Sequence, residues 1–422
     1  MDSLAFDFRG IAILKHFHAA IALAVLTGTL APASAHNIDI NQASNTSVSA
    51  IIVADEAEIG NRSQVWLGAL FGGKLYFRDA ANAWRLSNGS YPPAVDDLTL
   101  GPVNAIAAVS AFDVSQLPGL ELYLAYGPNA VSASATPGHI RRILGVSSTG
   151  AADPSAAIDV TRLPMGDGKL SRAPVRGQIW ACSNLTGGGG ASKDGPWIRA
   201  DGTYDLTAKL SVGGNVKWSG TFAATLSGDR RVIGGNGLPS HGTGTYPIGS
   251  SDPAFEYDRN PNAIRNQTVS LTLPANPQIA AGASCLPPGA IGVLTSGVVF
   301  FNGLDAESRD AVAHEVQDRC QGHPERNGSY HYHNISNCLK EKPADAAHSP
   351  LVGYAYDGFG MYGRYGEGGK LLTNADLDEC HGHAHEIDWD RKPVSMYHYH
   401  ATWEYPYTMG CYRGTPARPV GL

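Results

Sequence analysis

Two copies of the tetrapeptide Tyr-His-Tyr-His, at residues 330–333 and 397–400, constrain the fold of this chain more than any other feature. Each copy follows the pattern Asp-x-Cys-x-Gly-His, which occurs at Asp318–His323 and again at Asp378–His383. Chance does not account for two such matches in 422 residues that include 18 tyrosines and 15 histidines. The simplest explanation is a duplicated unit that supplies two related half-sites, which can face each other across a pseudo-twofold axis.

The alternation of Tyr and His gives these side chains defined directions. In a β-strand, residues i and i+2 lie on one face, about 6.6 Å apart along the strand. His331 and His333 are therefore expected to share a face, with the two tyrosines packed on the other, and the same holds for His398 and His400. Two imidazoles on one strand face can bind one metal ion, and a second such strand opposite can complete the set of ligands.

The other expected ligands come from the turns that precede each tetrapeptide. His323 and His383 close the two Asp-x-Cys-x-Gly-His patterns and are the natural additional ligands. Asp318 and Asp378 are expected to accept hydrogen bonds from the imidazoles and so to fix their tautomers. Imidazole suits Zn, Cu, Fe and Ni, so the expected cofactor is a transition metal ion, with Zn or Cu favoured.

Two interpretations compete with metal binding. The histidines and tyrosines can form a buried hydrogen-bond network, or a histidine can act in catalysis without a metal.

His381 and His385 extend the histidine run of the second Asp-x-Cys-x-Gly-His motif to His-x-His-x-His and are either further ligands or part of a solvated loop. His314, in a short helix predicted over Ser308–Asp318, is expected at the surface, as is His139.

The sequence contains no familiar hydrolase motif. Neither His-Glu-x-x-His nor Gly-x-Ser-x-Gly occurs, although Asp357, Glu379 and Glu386 are carboxylates that could act beside a metal. The leading hypothesis is an exported protein with a histidine-rich metal site built from the two half-sites. The alternatives are a metal-dependent secreted enzyme and a surface binding module whose histidine network is structural.

Several motifs together resemble the bacterial YHYH-domain family. They are the two tetrapeptides, Asp318–Pro324, Asp357–Gly363 and Tyr405–Cys411, with weaker matches at Asp194–Trp197 and Asp201–Tyr204. Asn236–His241 resembles a further element of the family, and this resemblance makes His241 a candidate metal-site residue. The resemblance covers roughly residues 175 to 415. It implies where the domain begins and that its histidines matter, and it implies no reaction.

The start of the chain predicts export. Arg9 and Lys15 precede the apolar run Ala19–Leu30, and Ala33-Ser34-Ala35 fits a signal-peptidase site, so residues 1–35 are predicted to be a signal peptide. The run is shorter than the roughly 20 apolar residues that span a bilayer, and no transmembrane segment is expected elsewhere. The protein is therefore expected to be periplasmic or secreted. Six cysteines beyond residue 35 then predict three disulfides, with 15 possible pairings.

Composition predicts a mainly β protein. Only 16% of the residues are charged and 50 are glycine, which is typical of chains rich in strands and turns. The net charge of −7, without a basic cluster, argues against nucleic acid as a partner.

Short apolar runs separated by turn residues predict a β-sandwich-like accessory domain over residues 36–165. These runs are Val48–Ala54, Gln64–Leu70, Lys74–Phe77, Ile106–Phe112 and Leu120–Tyr126. The domain is expected to be a spacer, or to bind a protein or cell-surface partner. Ala151–Pro174 is the predicted linker, and residues 166–422 are predicted to form a β-rich, disulfide-containing YHYH domain with few short helices.

Overall fold

The structure is a computed structural model that describes residues 38–43, 47–88, 91–110, 113–136, 139–146, 158–183, 187–336, 338–339 and 348–417. The predicted signal peptide lies outside these residues. The chain divides into two compact units: the first runs to Ile158 and includes His348 and Glu367–Lys370, and the second begins at Asp159. Strands make up 38% of the described residues and helices 6%, which confirms the mainly β prediction. None of the described helices has the length and hydropathy of a membrane span.

The first unit contains two antiparallel sheets. Its strands are β1 (Ile38–Ala43), β2 (Ser47–Val53), β3 (Arg62–Phe71), β4 (Lys74–Arg78), β5 (Trp84–Leu86), β6 (Val95–Thr99), β7 (Val103–Ser110), β8 (Glu121–Gly127) and β9 (Ile140–Gly145). One sheet has the order β1-β2-β7, and the other has the order β5-β4-β3-β8-β9 with β6 also paired to β3. A 3-10 turn at Val114–Gln116 and the helix α1 (Ala130–Ala135) complete the unit. Each of the five predicted runs overlaps a strand.

A single apolar core joins the two sheets of the first unit. Ile52 on β2, Leu67 on β3 and Leu124 on β8 all belong to it and are at most 1% exposed. This arrangement confirms the sandwich-like prediction, because the inner faces of both sheets are removed from water together. His139 is also buried, so its predicted surface position is wrong. Its Nε2 lies 2.9 Å from a carboxylate oxygen of Glu58, and this contact compensates for the loss of solvent.

The second unit opens with short strands and a three-stranded sheet. The short strands are β10 (Leu163–Pro164), β11 (Leu170–Ser171), β12 (Ile179–Trp180) and β13 (Thr203–Tyr204). The antiparallel sheet has the order β14-β15-β16, formed by Phe222–Ser227, Arg230–Gly235 and Val269–Pro274. A four-residue 3-10 helix lies at Pro253–Glu256 and a three-residue one at Asn374–Asp376. Another 3-10 helix, at Glu367–Gly369, belongs to the first unit.

An eight-stranded sheet carries both tetrapeptides. Its strands are β17 (Ala290–Leu294), β18 (Val299–Phe301), β19 (Gly322–Pro324), β20 (Tyr330–Tyr332), β21 (Leu351–Ala355), β22 (Gly360–Tyr362), β23 (Gly382–Trp389) and β24 (Lys392–His400). The strand order is β19-β20-β18-β17-β21-β22-β24-β23. From the central antiparallel pair β17–β21 outward, both halves have an antiparallel, then a parallel, then an antiparallel neighbour.

This strand order separates the two tetrapeptides. The first lies on β20 and the second at the end of β24, with four strands between them. At about 4.8 Å between neighbouring strands, β20 and β24 are about 24 Å apart across the sheet. The expectation that the two strands lie opposite each other and share one ion is therefore wrong, because both belong to the same sheet.

The helix predicted over Ser308–Asp318 is much shorter. Only α2 (Ala311–His314) is helical, because the Asp310 carboxylate caps the backbone N–H groups of Val312 and Ala313 and the chain becomes extended at Glu315.

Three disulfides are present, as the cysteine count predicted, and all lie in the second unit. They join Cys182 to Cys285, Cys320 to Cys338 and Cys380 to Cys411. Cys320 and Cys380 are the cysteines of the two Asp-x-Cys-x-Gly-His turns. Each turn is therefore tied covalently to a different segment of the unit.

The size of the loop that each disulfide closes predicts its contribution to stability. Cys182 and Cys285 are 103 residues apart, and Cys320 and Cys338 are 18 apart. Loop-closure entropy corresponds to about 5 kcal/mol for the longer loop and about 3 kcal/mol for the shorter one. Replacing both cysteines of the first pair by Ala should lower the free energy of unfolding in urea more than the same change in the second pair. A larger loss from the second pair would contradict this order.

Candidate metal centre

In the first tetrapeptide, two imidazoles point their Nε2 atoms at each other. Nε2 of His331 lies 3.2 Å from Nε2 of His333. Nδ1 of His331 contacts the carbonyl oxygen of Ser329 at 3.1 Å, and Nδ1 of His333 contacts that of Asn302 at 2.6 Å. A carbonyl oxygen only accepts hydrogen bonds, so each Nδ1 carries the proton and each Nε2 presents a lone pair.

The second tetrapeptide has the same arrangement. Nε2 of His398 lies 3.2 Å from Nε2 of His400, and their Nδ1 atoms contact the carbonyl oxygens of Met396 at 3.1 Å and Gly363 at 2.6 Å. Gly363 directly follows β22, as Asn302 directly follows β18 in the first half. In both halves the strand parallel to the tetrapeptide thus ends in the carbonyl group that fixes the last histidine.

Neighbouring strands add further imidazoles to each of these histidine pairs. His323 on β19 joins the first pair, and the ligand atoms of the three residues lie within 4.8 Å of one another. We name this set the first histidine group. Within the second unit, His383 and His385 on β23 join His398 and His400 within the same distance, and we name these four residues the second histidine group. The structure thus assembles six of the seven predicted metal ligands into two separate groups.

The geometry of both groups fits a transition metal ion. Two nitrogens bound to one tetrahedral ion at 2.0–2.1 Å are about 3.3 Å apart, close to the 3.2 Å found in each half. Burial lowers the pKa of His333 to about 4 and also lowers the pKa values of His323 and His331, so the first group is neutral at pH 7. Neutral imidazole is the form that binds metal.

Glu315 is a functional candidate that sequence reasoning missed. It follows α2 and is buried, and its Oε2 lies 3.4 Å from Nε2 of His323 and 3.4 Å from Nε2 of His333. Neither ring nitrogen of His323 makes a hydrogen bond with any described residue, which is costly for a buried polar side chain. In the sequence Glu315 stands directly after His314. Its distance from the Asp-x-Cys-x-Gly-His motif matches no known pattern of metal ligands, so the sequence alone did not identify it.

Asp318 and Asp378 do not fix the imidazoles, so that expectation is wrong. The Asp318 carboxylate accepts hydrogen bonds from the hydroxyl of Tyr330 and from the N–H of Cys320. Asp378 accepts the corresponding bonds from Tyr397 and Cys380. The carboxylates thus hold each turn against the tyrosine face of the tetrapeptide strand, and backbone carbonyls orient the histidines on the other face.

The glycine of each turn makes this close approach possible. A Cβ atom at Gly322 would lie 2.3 Å from the ring of Tyr330, and one at Gly382 would lie 2.4 Å from the hydroxyl oxygen of Tyr397. Only glycine fits between the turn and the tyrosine in either half.

His241 joins neither histidine group. Its Nε2 lies 2.5 Å from the hydroxyl oxygen of Tyr332, on the tyrosine face of β20, and its Nδ1 lies 2.9 Å from the carbonyl oxygen of Gly242. Its neighbours Cys320 and Cys338 are joined in a disulfide and are not thiolate ligands. The prediction of His241 as a ligand is therefore corrected: it contacts the opposite face of the strand that carries the ligands.

His381 and His385 have different environments. His381 is buried, and its Nδ1 lies 2.8 Å from the carbonyl oxygen of His400 and 3.0 Å from that of Thr408, so it supports the backbone. His385 belongs to the second histidine group.

Among the predicted carboxylates, Asp357 is buried and accepts a hydrogen bond from the hydroxyl of Tyr399. It therefore holds the tyrosine face of the second tetrapeptide strand.

His314 is buried between two carboxylates, so its predicted surface position is wrong. Its Nε2 lies 2.8 Å from Asp167 and its Nδ1 lies 2.9 Å from Asp194. Burial opposes the charged form, but the contact with Asp167 outweighs it and the pKa of His314 is raised. Both nitrogens then donate, and the imidazolium connects three segments of the second unit.

Comparison with known proteins confirms the family resemblance over part of the chain. Residues 270–371 match the family model described as YHYH protein, so the second unit contains a YHYH domain. The matched range includes β17 to β22 and the whole first histidine group. Searches of curated proteins and of solved structures give no match.

The contacts of His314 predict a pH-dependent contribution to stability. Because its folded pKa is raised, the contribution is complete below the unfolded pKa of about 6.5 and is lost as the pH rises through the folded value. Both carboxylates are partly exposed, so we expect His314→Gln to lower the free energy of unfolding by only about 1 kcal/mol at pH 5.5. The difference from the unsubstituted protein should shrink by pH 9 in urea titrations. A difference that does not change with pH would contradict the charged state.

Proposed function

We propose that this protein is exported and binds two transition metal ions, one at each histidine group. The observation that carries the proposal is the pair of Nε2 atoms, 3.2 Å apart, in each half. Because each Nδ1 faces a carbonyl oxygen, the two Nε2 atoms present lone pairs to each other, and lone pairs at this distance repel. A cation between them turns this repulsion into two favourable bonds.

The ligand atoms of both histidine groups are imidazole nitrogens, and these favour a transition metal ion over Mg or Ca. Imidazole nitrogen suits Zn, Cu, Fe and Ni, whereas Mg and Ca prefer oxygen ligands. We favour Cu, which is bound most strongly in the order of divalent metals, or Zn, for which histidine nitrogen is a usual ligand. In the first group His323 buries two ring nitrogens that no described residue satisfies, and a bound ion supplies the missing partner for one of them.

Matching contacts in the two halves support their origin as duplicated half-sites. The carboxylate-to-tyrosine bond, the turn glycine and the two carbonyl contacts occur at corresponding positions around His331 and His398. Export is supported by the predicted signal peptide and by the three disulfides, which persist in oxidising compartments. The binding of metal outside the cytoplasm is therefore the function that we propose.

Metal content tests the proposal. The purified mature chain, loaded with zinc and passed through a desalting column, should retain two ions per chain by elemental analysis. His331→Ala with His333→Ala should remove one ion, and His398→Ala with His400→Ala should remove the other. Zinc should also raise the melting temperature, since binding to the folded state alone stabilises it.

His139→Gln is the matched control, because it replaces a buried histidine of the first unit and should leave both ions in place. Full-length protein that retains no zinc, copper, iron or nickel would contradict the proposal. Equal loss of both ions from either double variant would contradict the existence of two separate sites.

A further inference from the structure

We propose that the first unit binds a small amphiphilic carboxylate of the fatty-acid type in a cavity between its two sheets, with the head group at Arg78. The site lies in the unit that the proposed function does not use. Its argument involves neither histidine group, so it is independent of metal binding.

A cavity of about 630 Å³ lies between the two sheets of the first unit. Phe71 and Leu122 line it from the larger sheet, and Val109 and Val114 line it from β7 and the 3-10 turn that follows. All four belong to the apolar core or pack against it, so the cavity borders the core. Sites for small molecules have volumes of about 300–1,000 Å³ and mostly apolar walls. The cavity therefore fits a small apolar molecule or the apolar part of a larger one.

A β-bulge holds a cation at the wall of this cavity. The register between β2 and β7 shifts between Val48 and Ser49, which makes Ala108 an extra residue on β7. Nη1 of Arg78, on β4 of the other sheet, donates to the carbonyl oxygen of Ala108 at 3.0 Å. Among the described residues that line the cavity, Arg78 is the only charged one. The bond between the sheets thus fixes a single guanidinium beside apolar walls.

Arg78 has no acidic partner among the residues that the structure describes. The carboxylate next to it, Asp79, pairs with Arg85 at 2.5 Å. Burial lowers the pKa of Arg78, but a guanidinium stays charged at neutral pH. A half-buried cation without a counter-ion favours an anionic ligand, and two guanidinium N–H groups match the two oxygens of a carboxylate. The head group of the ligand is therefore expected to be a carboxylate.

The mouth of the cavity places an aromatic surface beside this cation. Trp84 on β5 lines the cavity and is 38% exposed, and it lies directly opposite Arg78 on β4. Cross-strand partners share one face of a sheet, so the indole and the guanidinium are neighbours. A molecule whose carboxylate pairs with Arg78 can therefore cover the indole with the start of its tail and place the rest between the sheets.

The walls argue against two other classes of ligand. Each buried hydroxyl of a sugar needs a hydrogen-bond partner. Among the described lining residues, polar side-chain atoms occur only at Tyr76, Arg78, Asn82 and Trp84. A phosphate group carries about −1.5 to −2 charges at neutral pH, which one cation does not balance. A carboxylate on an apolar tail matches both the single charge and the apolar walls.

Calorimetric titration of the full mature chain with decanoate tests the proposal, with the neutral decanol as the ligand of equal chain length. Both are kept below the concentration at which they form micelles or separate. We expect one decanoate per chain, bound at least tenfold more tightly than decanol. Arg78→Gln should weaken decanoate binding at least tenfold and leave decanol binding unchanged, and Arg78→Lys, which keeps the charge, should lose less.

Ala107→Phe adds a ring at an exposed position of the cavity wall and should weaken both ligands at least tenfold. Arg62→Gln is the matched control, because Arg62 is an exposed, ion-paired arginine of the same unit, and it should change neither affinity. Unchanged decanol binding shows that Arg78→Gln still folds. No binding of decanoate, equal decanoate affinity with and without Arg78, or binding of chitohexaose in its place would overturn the proposal. None of these outcomes depends on whether the histidine groups bind metal.

Discussion

A neutral imidazole has one proton and one lone pair, and the candidate metal centre depends on which nitrogen holds the proton. In all four tetrapeptide histidines a backbone carbonyl oxygen lies against Nδ1, which directs the lone pair to Nε2. Two of these carbonyls belong to the residues directly before the tetrapeptides, Ser329 and Met396. The other two, at Asn302 and Gly363, come from the end of the neighbouring parallel strand. The position of that strand in the sheet is therefore what makes the two Nε2 atoms converge.

The rest of the second unit maintains this arrangement from the opposite face. The tyrosines of each tetrapeptide are buried, and those that begin the two motifs donate to Asp318 and Asp378, which also receive the backbone N–H groups of their own turns. The buried carboxylate of Asp318 needs such donors, and the half-buried carboxylate of Asp378 receives the corresponding ones, so a tyrosine, an aspartate and a turn are linked in each half. The disulfides at Cys320 and Cys380 hold the same two turns.

Much of this could be predicted from the sequence, because strand periodicity is local. Alternation alone put His331 and His333 on one face and their tyrosines on the other, and turn residues located the strands of the first unit. The partners of these side chains could not be predicted, because they depend on strand order. Glu315 approaches His323 only because α2 ends beside β19, and the separation of the two groups follows from the four strands between β20 and β24. His314 was misplaced because Asp167 and Asp194 lie more than 100 residues away in the chain.

Anomalous X-ray diffraction from crystals of the zinc-loaded protein, collected on both sides of the zinc absorption edge, tests the central claim most directly. The account predicts two anomalous peaks per chain, one between Nε2 of His331 and His333 and the other between Nε2 of His398 and His400. A peak at any other place in the chain, or these four imidazoles bonded only to protein atoms in crystals that contain zinc, would contradict it.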